Sequence, residues 1–162
     1  MYTGGSEDEI MWRQRSPHFN GTFEENIREE INFLHNAGIS PEVPNALWKS
    51  KVLSHLPIKH GLHSIVARGL YVLQLRQWLA HWPKDQIRIH TMNELKGLTN
   101  VQRTMNSVFD YLQLPHHTYT EVEAKNSRKY EPMSAESRAI LDAFYAPYNE
   151  ALFQLLGKVL EW

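Results

Sequence analysis

Residues 68–90 read RGLYVLQLRQWLAHWPKDQIRIH, and three kinds of order follow one another in them. Val66, Leu70 and Leu73 form one row at helical spacing, and Tyr71, Leu75, Trp78 and Trp82 form a second that overlaps it. Together they predict a helix from about Ser64 to His81 that is apolar over a wide arc and deeply packed. Pro83 ends it. After the Pro-Lys-Asp turn, Gln86 to His90 alternates as a short strand would. A helix, a strand and a further helix in that order predict an α/β fold that is mostly helical, with this run as one strand of a larger sheet. One strand is not a sheet, so its partners are expected upstream; otherwise the chain folds as helices alone.

Working outward, Thr22 and Glu25 have capping-box spacing, and Ile27, Ile31 and Leu34 recur on one face of a helix that stops near Gly38. Residues 1–21 carry Gly4, Gly5, Pro17 and Gly21 without an apolar period and read as an irregular lead-in. Pro41, Pro44 and Pro57 leave room only for a short helix around Trp48 to Leu56. On the other side, Thr99 is expected to cap a helix, with Gln102 three residues on. Val101, Met105, Val108 and Leu112 form its buried row, and Leu114-Pro115 closes it. Ser134 starts helical material through Ile140, Leu141 and Phe144, Pro147 is expected to open another turn, and Leu152, Leu155 and Leu156 continue to Gly157. The reading therefore divides the chain into a lead-in, 1–21, and one domain portion, 22–162.

Composition limits the functions available. With 42% hydrophobic and 22% charged side chains over 162 residues, the chain has the balance of an ordinary globular domain. A net charge of -1 supplies no general field for nucleic acid, so any anion site must be local. No apolar run is long enough to span a bilayer, and the acidic start lacks a signal-peptide layout. The absence of cysteine removes disulfides, thiolate metal sites and thiol nucleophiles.

The chemistry concentrates in Lys125-Asn126-Ser127-Arg128-Lys129-Tyr130, just ahead of the last helix. A phosphate is held by a guanidinium fork, hydroxyl donors and backbone N–H groups, and an irregular loop supplies all three. The plainer reading of three cations in six residues is a solvated loop. Among other groups, His55, His60 and His63 lie close together and His116 and His117 are adjacent, but no ligand spacing such as HExxH accompanies them, so no metal site is expected. Trp48, Tyr71, Trp78 and Trp82 invite a sugar-stacking reading, against which their helical spacing favours packing.

Three blocks carry a family resemblance. NSRKYEPMSAESRAILDAFYAPYNEALFQLLG (126–157), RGLYVLQLRQWLAHWPKDQIRIHTMNEL (68–95) and TFEENIREE (22–30) resemble, in that order, the closing part of sulfotransferases related to the heparan sulfate N-deacetylase/N-sulfotransferases and other carbohydrate sulfotransferases. The resemblance implies a fold similar to P-loop kinases, of which these residues would be the C-terminal portion. It implies transfer of a sulfuryl group from 3′-phosphoadenosine-5′-phosphosulfate to a carbohydrate acceptor, in the Golgi lumen or membrane if the parent is a eukaryotic enzyme.

By the same resemblance, Asn126, Ser127, Arg128, Lys129 and Tyr130 are the positions expected to close over the nucleotide and its 3′-phosphate. Arg68, at the head of its block, is a candidate acceptor contact, set against a surface salt bridge. Glu94 matches a position that is often acidic, and is expected to orient backbone rather than carry protons. The chain departs from the pattern where relatives often have Lys-Gly: here Asn126 and Ser127 stand, and a charge and a flexible glycine are gone. No Gly-rich phosphosulfate loop with its lysine, no Arg-Asp-Pro…Ser stretch and no assignable general base are found. Transfer by these residues alone is therefore not expected, and a non-catalytic helical interaction module is the alternative.

Overall fold

The computed structural model describes residues 21–54, 64–123 and 131–161. These fall into two compact units, one of residues up to His81 together with Met133–Leu156, the other of Trp82–Pro132 with Gly157 onward. Among the described residues every regular element is helical.

The first unit holds α1 (Phe23–Asn36), α2 (Asn45–Ser54), α3 (Tyr71–Leu79) and α5 (Ala135–Leu156), with α5 packed on α1 and α3, and α2 on α3. The expected start of α1 is found. Thr22 donates its backbone N–H to Glu25 Oε2 at 2.7 Å, and Glu25 returns its N–H to Thr22 Oγ1 at 3.2 Å. The Thr22 backbone donor holds the Glu25 carboxyl below its usual range. Gly38, at φ +72°, turns the chain away beyond the end of α1, a conformation that suits glycine. Ile27, Leu34, Val66, Leu70, Val72 and Leu73 are wholly buried, and Phe144, Tyr148 and Leu152 of α5 join them.

One member of the buried face of α1 is charged. Glu30 is only 7% exposed. Its carboxylate accepts the backbone N–H groups of Ile65 at 2.8 Å, Val66 at 3.0 Å and Ala67 at 2.9 Å, as well as the Ser64 hydroxyl. A buried charge is costly unless each lone pair is used, and here both oxygens are occupied.

This grip explains the first difference from the sequence reading. The helix expected from Ser64 begins as a 3-10 turn, Ala67–Gly69, breaks at Leu70 and resumes as α3. Three successive N–H groups bound to one side chain bend the backbone round the carboxylate instead of lining it up along a helix axis. The second difference is the aromatic row. Val72 and Leu73 face the interior, whereas Tyr71 and Trp78 are 52% and 61% exposed. Trp82, in the second unit, is also exposed, so this row is surface and not packed core.

Pro147 lies inside α5 and opens no new turn. It removes the hydrogen bond to the Ala143 carbonyl, but Ala143 and Pro147 are both on the exposed side, where water replaces the bond. Phe144 and Tyr148 hold the other side, with the Tyr148 hydroxyl donating to the Ile39 carbonyl at 3.0 Å. Burial pushes that phenol up to about 12.

The second unit is built around α4 (Leu98–Leu112) and a 3-10 turn, Met92–Leu95, packed against it. The alternation of Gln86–His90 predicts a strand, but the run has no ladder among the described residues. Ile87 is extended at φ -121°, ψ 118°, yet among the described residues the backbone N–H groups of Arg88, Ile89 and His90 find no acceptor. A strand exists only against another, and no second one is present among these residues. Thr99 is not the cap of α4. Gly97 takes that place at φ +79°, and α4 begins before Thr99. The helix ends at Gln113, left-handed at φ +57°, where Leu114 N–H reaches back to the Phe109 carbonyl at 2.8 Å ahead of Pro115.

Replacing Glu30 by Gln keeps the shape but leaves four donors facing a group with one acceptor oxygen. Glu30→Gln is expected to lower the unfolding free energy by about 2–4 kcal/mol. Glu29→Gln, on the exposed side of α1, should stay within about 0.5 kcal/mol of the parent. Urea denaturation of the two variants measures both.

Candidate functional site

Asn126, Ser127, Arg128, Lys129 and Tyr130 lie outside the described residues. What is described is the chain leading to them and the chain leaving them, each within its own unit.

In the second unit the approach is set by Gln102 on α4. Its Oε1 accepts the Tyr119 N–H at 2.8 Å, and its Nε2 donates to the His117 carbonyl at 2.8 Å and to Asn106 Oδ1 at 2.8 Å. One amide thus holds the His117 carbonyl and the Tyr119 N–H of a run that is otherwise irregular, a few residues ahead of the basic segment. His117 stacks edge-on against Tyr119, with ring centroids 4.8 Å apart, and His116 pairs with Asp110 at 2.7 Å. His55, His60 and His63 are outside the described residues.

In the first unit the departure is capped. Ser134 Oγ accepts the Ser137 N–H at 3.0 Å, one turn into α5, as a Ser ahead of a helix should. Arg28 of α1 ties down Glu136 in the first turn of α5 at 2.8 Å.

Arg68 sits in the 3-10 turn before α3 and is exposed. Its carbonyl is held by Gln74 Nε2 at 3.0 Å. Among the described residues its guanidinium makes no ion pair. Beside it the Gly69 backbone runs under Tyr145: a Cβ there would lie 2.7 Å from the ring. The Tyr145 hydroxyl donates to the Val66 carbonyl at 2.7 Å, and burial raises its pKa.

Glu94 takes a backbone hydrogen bond from Thr91 on its carboxylate, beside two further contacts. Its carboxylate meets His90 Nδ1 at 2.7 Å, and its carbonyl accepts the Thr104 hydroxyl at 2.8 Å. His90 Nε2 is buried and has no hydrogen-bond partner among the described residues. Sequence reasoning missed Glu30, Gln102 and His90. A signal existed for Glu30, which falls inside the apolar row Ile27, Ile31, Leu34 and so marks a charge on a buried face.

The His90 hydrogen bond, above all, holds the Glu94 carboxyl below its ordinary 4.5, against a smaller opposing effect of burial. A carboxyl depressed in the folded state stabilises above its unfolded pKa and loses that contribution as pH falls through the folded value. The second unit is therefore expected to weaken on acidification below about pH 4.5. In Glu94→Gln that part of the loss should vanish, as read from the pH dependence of the backbone amide NMR signals of α4.

No protein-family model and no solved structure matches the chain. Curated proteins do. The membrane-associated sulfotransferase kil1 of Dictyostelium discoideum is 27% identical over 103 residues, 64% of this chain and 21% of that protein. Carbohydrate sulfotransferase 15 of Mus musculus is 26% identical over 145 residues, 83% of the chain and 24% of that protein. The bifunctional heparan sulfate N-deacetylase/N-sulfotransferase 3 of Mus musculus is 27% identical over 139 residues, 72% of the chain and 15% of that protein. The chain thus spans a quarter or less of the length of these relatives. What it resembles, across most of the residues described here, is the C-terminal part of sulfotransferases.

Proposed function

We propose that this chain is the C-terminal portion of a sulfotransferase domain that transfers a sulfuryl group from 3′-phosphoadenosine-5′-phosphosulfate to a hydroxyl or amine of a carbohydrate. The observation that carries the reading is the similarity to named sulfotransferases over as much as 83% of the chain. In such a reaction the acceptor oxygen or nitrogen forms a bond to sulfur as the bond from sulfur to the bridging phosphate oxygen breaks. The acceptor proton passes to a base, and adenosine 3′,5′-bisphosphate leaves.

The share of this chain in that work is binding. Arg128 supplies a guanidinium for the 3′-phosphate, Ser127 and Asn126 supply neutral donors, and Lys129 and Tyr130 add charge and an aromatic wall. The Gln102 grip on residues 117–119 supports this assignment, because it limits the freedom of the chain entering the segment. Arg68, exposed and without an ion pair among the described residues, is the group offered to the acceptor.

The fold in this reading is the P-loop-kinase-like one, whose parallel sheet would be completed by residues outside this chain. The run from Ile87, which is extended, to His90, with N–H groups at 88–90 that find no acceptor among the described residues, is what such a sheet would take up as a strand. The lysine and oriented N–H groups that stabilise the leaving phosphate would come from the same missing part.

Calorimetry of the chain with adenosine 3′,5′-bisphosphate tests the nucleotide assignment. Arg128→Ala is expected to weaken binding about tenfold or more, the usual loss for a charge-assisted contact. Equal heats from parent and variant, or none from either, would overturn the loop assignment and favour the non-catalytic helical module.

A further inference from the structure

Residues 20–22 read Asn-Gly-Thr. An asparagine with Ser or Thr two places on, and no proline between, is the acceptor pattern for an N-linked glycan. No other asparagine of the chain has it. Three residues fall into such an order by chance, so the weight rests on where these three stand and on what the third one does.

Asn20 is outside the described residues, and Gly21 and Thr22 are the first inside them, both exposed at the open end of α1. The pattern admits only Ser or Thr at its third place, so the hydroxyl is the group that the transferring enzyme reads. Here that hydroxyl is engaged. Thr22 Oγ1 donates to Glu25 Oε2 at 3.0 Å and accepts the Glu25 N–H at 3.2 Å. The Gly21 carbonyl is held too, by Asn26 Nδ2 at 3.1 Å. Gly21 itself lies against Glu25: a Cβ there would come within 2.7 Å of Oε2. The folded end of α1 thus shuts the last two residues of the pattern against Glu25 and Asn26. An enzyme can draw them out only before the capping box forms or when that end of the helix opens. Gly21, Thr22 and Phe23 are all exposed, so the chain on the C-terminal side of the glycan buries nothing that it would have to displace.

We propose that Asn20 is the acceptor of an N-linked glycan, attached while residues 20–25 are still unfolded and closed to attachment once Thr22 and Glu25 pair. That the chain meets the glycan-transferring machinery of the secretory route rests on the sulfotransferase reading above. In the step, the Asn20 amide nitrogen bonds to the anomeric carbon of a lipid-pyrophosphate-linked oligosaccharide. The bond from that carbon to the pyrophosphate oxygen breaks, the amide gives up one proton, and the lipid pyrophosphate leaves with it.

The test places the whole 162-residue chain behind a cleavable secretory leader and translates it with microsomes. The translocated chain is expected to carry a glycan that peptide N-glycosidase removes, leaving Asp at position 20 by mass spectrometry. Asn20→Gln and Thr22→Val should each abolish it, while Thr22→Ser, which keeps the hydroxyl, should retain it. In a second arm, the folded unmodified chain and a peptide of residues 17–25 are given to solubilised oligosaccharyltransferase with the lipid-linked donor. The peptide should be modified and the folded chain scarcely. Glu25→Ala, which releases the hydroxyl, should raise modification of the folded chain about fivefold.

A translocated chain without a glycan, or one whose glycan survives Asn20→Gln, overturns the site. Equal modification of the folded chain, the peptide and Glu25→Ala overturns the competition for Thr22. Calorimetry of the unmodified chain with adenosine 3′,5′-bisphosphate reports separately: heats without a glycan keep the sulfotransferase reading and lose the site, and a glycan without heats does the reverse.

Discussion

The first unit is organised by a carboxylate that has no water to face. Once Glu30 is carried inward with Ile27, Ile31 and Leu34, its charge must be met by donors, and among the described residues these are the backbone N–H groups of residues 65–67 and the Ser64 hydroxyl. That requirement bends the chain before α3 and sets where α3 begins. It also brings Val66 and Leu70 into the core and presents the Val66 carbonyl to Tyr145 of α5. Three helices are thus brought into relation by one side chain, which is worth more here as a fixer of geometry than as a source of net stability.

How much of this was legible depended on the range of the interaction. The Thr22–Glu25 box, the stop at Gly38, the Ser134 start and the end at Gly157 are written in residues a few positions apart, and they read correctly. Glu30 finds its donors 34 to 37 residues away, so periodicity alone continued the α3 helix back to Ser64. Gln86–His90 had the alternation of a strand, but alternation describes a face and not a partner. The aromatic row misled because hydropathy counts rings as interior. On α3 the small, shape-fitting Val72 and Leu73 take the inside, leaving Tyr71 and Trp78 outside. For the candidate site, the exposure of Arg68 was open to the sequence, while the Gln102 grip was not, since nothing local singles out that amide.

The similarity to sulfotransferases and the geometry bear on different questions. Similarity says what kind of protein carries such residues, over about a quarter of its length or less. The geometry says which side chains have spare bonding capacity. Most polar side chains traced above are spent on structure: Glu30, Gln102, Glu94 and Tyr148 each have their partners. Arg68, exposed in the turn before α3, has no ion pair among the described residues.

Gly69 and Tyr145 carry a consequence for descent. The ring lies so close over the glycine that no side chain fits beneath it. The two positions are therefore one trait in the eyes of selection, although they lie far apart in the sequence. A lineage that trims residue 145 to something slender gains room to place a methyl at 69, whereas one that changes 69 first meets a barrier. Their substitutions should arrive in that order, and as a pair.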